Sequence, residues 1–509
     1  MTKARYNVIE NINLDHCDVT YVTSPNYPDN YDDNINMTWM VTAPRGNRVV
    51  LRFMVLIIEV DHDYVTVFEG WTPEFEGAVQ RLHISGSTPP RYNLTSVGSY
   101  LWLRFTSDVD LTQQGFKALL SCIPIPVVDL SLLESANLSS PFYPEQYNDN
   151  TDLLWKVKSP TGFRVVLNFT AFNTENDHDF VTLFEGRSNF FNESSLRKTL
   201  SGTPRLGSYK SIGSHMWVRF NSDDSTVLHS SSSKGFQALL SYTMAKEVLL
   251  VDSETRHDVT SPNYPDSYNS YDDILWRITA PENYRVLLHF KDFHTGDHDY
   301  VTIYEGRGPN IEESTWRSRH FGHGSQHNIT SIGSYLWIRF ISERNDNSDG
   351  ADGFRLLVYP LPIPDITLTS IKAVNLSSPK YPGLYDTKTD IIWRVIAPSG
   401  SMVVISFIDF HTKLGSDFLT IYEGITGDFE GAVRGFRLSG ESTPDNIASM
   451  GSYVWLRFTT GSEIDSCVSC SGFMATLQAI QGEPYTVHII EIICKNYTHE
   501  IHLEQFWHV

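Results

Sequence analysis

Ser24-Pro25-Asn26-Tyr27-Pro28 returns three times down the chain, as Ser140-Pro141-Phe142-Tyr143-Pro144, Ser261-Pro262-Asn263-Tyr264-Pro265 and Ser378-Pro379-Lys380-Tyr381-Pro382. The same register brings back Trp39, Trp155, Trp276 and Trp393, then Glu69-Gly70, Glu185-Gly186, Glu305-Gly306 and Glu423-Gly424. Gly98-Ser99, Gly213-Ser214, Gly333-Ser334 and Gly451-Ser452 follow, and Gly115-Phe116, Gly235-Phe236, Gly353-Phe354 and Gly472-Phe473 close each copy. The period is about 120 residues, a whole domain and not a solenoid unit of about 20 to 50. The repeat therefore predicts four modules, 14–122, 127–243, 247–360 and 365–480, and leaves 481–509 as an unassigned C-terminal tail.

Between modules lie Ile123-Pro124-Ile125-Pro126, Thr243-Met244-Ala245-Lys246 and Pro360-Leu361-Pro362-Ile363-Pro364. Alternating prolines hold a backbone extended and stiff, which predicts short, semi-rigid junctions. Within a module, runs such as Arg48-Val49-Val50-Leu51-Arg52-Phe53, Tyr64-Val65-Thr66-Val67-Phe68 and Leu101-Trp102-Leu103-Arg104-Phe105 are β-branched and aromatic with period-two alternation, the pattern of strands. Leu101, Leu103 and Phe105 mark a buried face, with Trp102 and Arg104 facing out or toward a neighbouring sheet. Gly, Pro, Asn and Asp clusters separate these runs and no stretch of about 12 residues holds a helical period. The fold class is all-β: four tandem antiparallel β-sandwiches joined by short linkers.

Composition bounds the function. Of the 509 residues, 41% are hydrophobic and 13% aromatic, enough to build folded cores. Thirty-nine Lys and Arg against 60 Asp and Glu give a net charge of −21, which repels phosphate backbones and excludes nucleic acid as a natural partner while suiting cations and basic proteins. No run approaches the roughly 18 apolar residues that span a bilayer. Met1 to Glu10 has no following apolar region and does not read as a signal peptide.

The ordered set Ser-Pro-x-Tyr-Pro, x-x-Trp, Asp-Tyr-Val or Asp-Phe-Val, Glu-Gly, Ser-x-Gly-Ser, Phe-x-Ser-Asp and Gly-Phe resembles the CUB domain over about nine tenths of the chain. The resemblance implies a jelly-roll-like sandwich, an extracellular or secreted setting, recognition of other proteins, and in many members a calcium site at one end. Eight Asn-x-Ser/Thr sequons, at Asn36, Asn93, Asn137, Asn168, Asn192, Asn328, Asn375 and Asn496, agree with a secreted glycoprotein. The chain departs from the family in its five cysteines: Met37, Leu153, Ile274 and Ile391 stand where the family places a Cys two residues before each Trp. Cys17 and Cys122 bracket module one, where a bridge joining its ends is left open. Cys467-Val468-Ser469-Cys470 reads as a loop disulfide or two free thiols sooner than as a zinc site, and Cys494 is left over.

In calcium-binding relatives the ligands are a Glu ahead of the Asp-Tyr-Val strand, that Asp, and the Asp of Phe-x-Ser-Asp. The resemblance carries these onto Glu59, Asp63 and Asp108 in module one and Glu175, Asp179 and Asp223 in module two, with Asp61 and Asp177 as nearby substitutes. Module three keeps Asp299 and has Glu343 at the last place, but Gly296 replaces the Glu, so its calcium site is weakened. Module four keeps only Asp417, with Lys413 and Gly461 at the other places, which argues against calcium there. Asp61-His62-Asp63 and its copies could recruit zinc, but strand alternation points His62 away from its neighbours and favours a packed or hydrogen-bonded ring.

The tail segment His499-Glu500-Ile501-His502 is one residue short of a zinc-protease motif, and no nucleophile elbow or phosphate loop occurs. The expectation is a non-enzymatic protein whose acidic sites, ordered by calcium, contact Lys or Arg of an unidentified protein partner. A glycan-binding or matrix-structural protein without calcium dependence is the alternative, and a carboxylate-based hydrolase a more distant one.

Overall fold

The computed structural model describes residues 8–70, 75, 78–186, 191, 194–224, 233–306, 308–324, 327–343, 352–424, 426–461 and 470–481. Cys467, Cys494, the sequons at Asn192 and Asn496 and the segment around His499 lie outside the described residues. Module one consists of β1 (Val8–Asn13), β2 (Thr20–Thr23), β3 (Asn36–Thr42), β4 (Asn47–Ile57), β5 (Tyr64–Gly70), β6 (Val79–Ile84), β7 (Leu94–Thr95), β8 (Tyr100–Thr106) and β9 (Gly115–Pro124). They form two facing sheets, β1-β3-β8-β5-β6 and β2-β9-β4-β7, and the same two strand orders recur in modules two, three and four. Pairing is antiparallel except that β1 runs parallel to β3, Val8 opposite Met37. The chain is thus all-β, four sandwiches in a row.

The markers that define the repeat have structural reasons. Leu101, Leu103 and Phe105 of β8 fill the space between the sheets with Val49, Leu51, Val65 and Phe116, and Trp39 sets its edge on Phe116 at 5.7 Å. The Ser-Pro and Gly-Phe markers meet each other: the Ser24 hydroxyl accepts the Phe116 N–H at 3.0 Å, and a Cβ on Gly115, whose φ is +91°, would sit 1.8 Å from that hydroxyl. The four Tyr-Pro bonds, Tyr27-Pro28 and its copies, are all cis. Met37 and Ile274, at family half-cystine positions, pack against their module cores as apolar replacements should. Cys17 and Cys122 are joined and close a loop of 105 residues in module one, and Cys470 is also disulfide-bonded.

The outer face of β8, left open by the alternation, meets the preceding module at its counterparts. In module two Trp217 is 1% exposed because it packs with Leu154, Phe184 and Phe191 against Val97 and Ile125 of module one. Trp337 with Leu275 and Tyr304 does the same against Ile212, and Trp455 with Ile392 and Tyr422 against Ile332 and Ile363. Linker residues Ile125 and Ile363 are therefore part of the junction cores, which ties each pair of modules together beyond the stiffness of the prolines.

Beside each apolar junction lies a buried ionic one. At the first, Arg48 of module one reaches Asp152 of module two at 2.7 Å, and Arg219 bridges Asp152 at 2.7 Å and Glu69 of module one at 3.2 Å. At the second, Arg164 reaches Asp273 at 2.5 Å while Arg339 holds Asp273 and Glu185, both at 2.7 Å. At the third, Arg285 and Arg457 converge on Asp390 at 2.8 and 2.6 Å, and Arg317 joins Glu305 to it. The edge strand supplies one arginine to each cluster through a β-bulge. In the pairing of β5 with β6, Val67 faces Leu82 and Phe68 faces Gln80, so Arg81 is the extra residue. Arg197 and Arg317 are extra in the same way. A bulge re-aims a side chain, and here it turns each arginine toward the next module.

Burial alone would raise Asp273, but Arg164 and Arg339 outweigh it and hold the carboxyl well below the usual carboxylate range. Its charge is thus required in the folded state. Asp273→Asn leaves two buried guanidiniums undercompensated and is expected to cost about 3–5 kcal/mol. Asp258→Asn, which breaks only the exposed and solvent-screened pair with Arg355, is expected to leave the unfolding temperature essentially unchanged. Calorimetric unfolding of the full chain compares the two directly.

Candidate metal centre

One end of every module is organised around a buried aspartate. Asp63 opens into β5 and is held from two sides: the Tyr31 hydroxyl donates to Oδ2 in a short hydrogen bond, and the Asp108 N–H donates to Oδ1 at 2.9 Å. Tyr31 in turn accepts the Glu59 N–H at 3.1 Å and sets its ring edge on Phe105 at 5.0 Å. The frame repeats with Tyr147, Asp179 and Asp223, with Tyr268, Asp299 and Glu343, and with Tyr385, Asp417 and Gly461. The backbone N–H that each tyrosine accepts belongs to Glu175, Gly296 and Lys413 respectively. Asp63 is held by long-range partners, 32 and 45 positions away, whereas Asp108 also closes a local turn by accepting the Asp110 N–H at 2.9 Å.

The tyrosine was not singled out by sequence reasoning. Its signal was present as Tyr-Pro-x-x-Tyr, at Tyr27 to Tyr31, Tyr143 to Tyr147, Tyr264 to Tyr268 and Tyr381 to Tyr385. Burial, then the hydrogen bond to Asp63, pushes the Tyr31 phenol well above its ordinary value, so it stays a donor. The acids added to this frame differ between modules. Carboxylate oxygens of Glu59, Asp63 and Asp108 lie within 4.8 Å of one another, and so do those of Glu175, Asp179 and Asp223. Among the described residues no other group of three potential metal-ligating side chains comes together in this way. Glu343 instead faces Arg197 and Lys198 of module two, and the Gly461 backbone simply closes the frame of Asp417.

The electrostatics of the first two sites are those of crowded acids. Burial, then Asp108, raises the Glu59 carboxyl above its ordinary value, and Glu59 Oε2 is enclosed without a hydrogen-bond partner. Burial raises Asp179 as well, against the opposing hydrogen bond from Tyr147. Asp61 and Asp177 sit at φ 60° and 62°, the left-handed turn that Asp tolerates, with their N–H groups on Ser85 and Ser201. The histidines are hydrogen-bonded and exposed: His62 Nδ1 lies 3.0 Å from the Val60 carbonyl, and His178 Nδ1 lies 3.0 Å from Asp223. Val60 and Val109, next in sequence to Glu59 and Asp108, are exposed.

The donor set can be tested against a cation. Calcium takes six to eight oxygens at about 2.3–2.6 Å, so two ligands on opposite sides of the ion are at most about 5 Å apart. Three carboxylates whose oxygens fall within 4.8 Å fit that sphere. All-oxygen donors with one unsatisfied buried oxygen match a hard cation better than zinc, which prefers nitrogen and sulfur.

Comparison with known proteins agrees with this architecture. The family model described as CUB domain matches residues 16–120, 131–239, 251–357 and 368–477. Dog and human cubilin are 27% and 28% identical over 479 and 478 residues, each match covering 90% of this chain. The chain spans 12% of the length of these cubilins. Human tolloid-like protein 1 is 24% identical over 570 aligned residues, covering 92% of this chain and 53% of that protein. Among solved structures, the CUB1-EGF-CUB2 domains of rat MASP-1 align at 20% identity and TM-score 0.20, over 69% of this chain and all of that one. The MASP-1 CUB2 domain bound to Ca2+ aligns at 19% identity and TM-score 0.18, over 22% of this chain and 96% of that one. With all four repeats matched and the same sandwich in each, the chain belongs to the CUB domain family.

Proposed function

We propose that modules one and two each bind a calcium ion, through Glu59, Asp63 and Asp108 and through Glu175, Asp179 and Asp223, and present it to a basic side chain of an extracellular protein partner. The observation that supports this most is the enclosed, unpartnered Glu59 Oε2 beside two further carboxylates. Three acids gathered this closely repel one another, and a divalent cation removes that repulsion. Bound calcium would lock the loops that carry Glu59 and Asp108, while an acid left with a spare oxygen accepts a Lys or Arg. A charge-assisted contact of this kind contributes about 1.5–3 kcal/mol, so two sites in one rigid chain gain from a partner with repeated basic positions. An extracellular setting, where calcium is plentiful and sequons are glycosylated, belongs to the same proposal.

Calcium titration calorimetry on the full chain is expected to show two ions bound, and Glu59→Gln with Asp108→Asn to remove one of them. Saturating calcium should raise the unfolding temperature, by the equivalent of about 2.7 kcal/mol at a hundredfold excess over Kd. Absence of heat and of any thermal shift would dismiss the calcium reading.

Glu59 gives a test with a defined sign. Because its folded pKa lies above the unfolded value of about 4.3, its bound proton stabilises the fold below that pH, and the benefit is lost as pH rises through the raised value. Without calcium at neutral pH, Glu59→Gln is therefore expected to unfold no earlier than the wild type. With calcium the order reverses, and thermal scans across pH 4 to 8 with and without the ion read both.

The tyrosine frame should not depend on calcium. Tyr385→Phe, in the module that lacks the acid triad, is expected to destabilise its module by about 1.5–3 kcal/mol, as Tyr31→Phe does in module one. A loss confined to Tyr31→Phe in calcium would show that the frame serves only the ion.

A further inference from the structure

Module three retains the aspartate frame but not the triad. Asp299 accepts from Tyr268 at 2.5 Å and from the Glu343 N–H at 2.7 Å, so both of its oxygens are engaged. Gly296 stands where modules one and two have Glu59 and Glu175. A Cβ there would lie 2.9 Å from Asp299 Oδ2, so the glycine lets the loop close onto the aspartate. The remaining acid, Glu343, turns toward module two: Lys198 Nζ lies 2.6 Å from Oε2 and Arg197 Nη1 lies 3.3 Å from Oε1.

Both halves of this contact are peculiar to the second junction. In the edge-strand register, Lys198 pairs with Leu183 as Leu82 pairs with Val67, Ser318 with Ile303 and Phe436 with Ile421. No other module has a base there. On the other side, Glu343 replaces Asp108, Asp223 and Gly461, and its extra methylene carries the carboxylate out to the neighbouring module. The bulge that makes Arg197 the extra residue sets it between Glu343 and Asp273, from which its Nη2 is 3.6 Å. A cation entering this site would have to displace two bases that already neutralise Glu343.

We propose that the acidic site of module three takes Lys198 of module two as its resident cation, closing it to calcium and converting it into a joint between the two modules. The proposal concerns a site outside the two calcium centres proposed above and stands whether or not those bind calcium. Module three then does not offer the surface to a partner's lysine, because the chain supplies its own. The two modules that retain the triad are left as the ones open to outside ligands.

The test is the acylation rate of each lysine in the full chain, followed by mass spectrometry, first without calcium. Lys198 is expected to react several-fold more slowly than the exposed Lys372, and Glu343→Gln to bring the two rates together. Glu343→Asp, which shortens the arm but keeps the charge, should release Lys198 as well. Addition of calcium should leave the protection unchanged. A wild-type Lys198 that reacts as fast as Lys372, or that is released by calcium, would overturn the proposal. Retained protection with no calcium heat anywhere would instead count against calcium in modules one and two and leave this joint standing.

Discussion

A carboxylate taken out of water must find partners or lose its charge, and this array is organised by two answers to that demand. Each module buries one aspartate at its tip under a tyrosine hydroxyl and a backbone N–H, as Asp63 shows. Modules two, three and four place another at the junction under two or more guanidiniums, fully buried in the case of Asp273 and partly in those of Asp152 and Asp390. The first answer fixes loops within a module. The second fixes one module on the next, and it does so with charges whose partners lie on both sides of the boundary. A buried ion pair contributes little net stability over an apolar contact, but it penalises any arrangement that leaves a charge unmatched. Trp217, Trp337 and Trp455 supply the burial, and the arginines select the orientation.

The two faces that meet no described module differ in part from the three junction faces. Where modules two to four have Asp152, Asp273 and Asp390, module one has Asn36, which accepts from Arg104 at 3.1 Å without carrying a charge. Where the first three modules offer Arg48, Arg164 and Arg285, module four has Met402, and Gly435 takes the bulged place of Arg81. Glu423, the counterpart of Glu69, turns to the Met450 N–H at 2.8 Å. Asn36, Met402 and Gly435 thus stand in place of junction charges on these faces, while Arg104 and Glu423 are kept there with partners inside their own module.

Much of the fold was legible in the sequence because it rests on local periodicity. Alternation in Leu101 to Phe105 identified the inner face of β8, and the repeat markers identified the four sandwiches. The carboxylates of modules one and two could be paired by resemblance, and the structure brings those six side chains together in two groups. What escaped is set by distance along the chain. Arg219 lies on the face of its strand that alternates away from the core, as Arg104 does in β8, but its partner Glu69 lies 150 positions away in another module. Tyr31 sits 32 positions from Asp63, and only their joint repetition in four modules would have linked them. The bulge that turns Arg81 outward is invisible in a pattern that counts residues two by two.

The separation between frame and acids explains how one fold carries different sites. Tyr385 and Asp417 keep the same bonds in module four as Tyr31 and Asp63 do in module one, although Lys413 and Gly461 flank them. The frame takes only backbone N–H groups from the two variable positions, so the side chains there are free to change without unseating the aspartate. Glu with Asp gives an acidic triad, Gly with Glu gives a carboxylate that reaches a neighbouring module, and Lys with Gly gives neither. Change at two positions therefore shifts a module between gathering acids and docking on its neighbour, while the tyrosine and the buried aspartate hold the loops in place in every case.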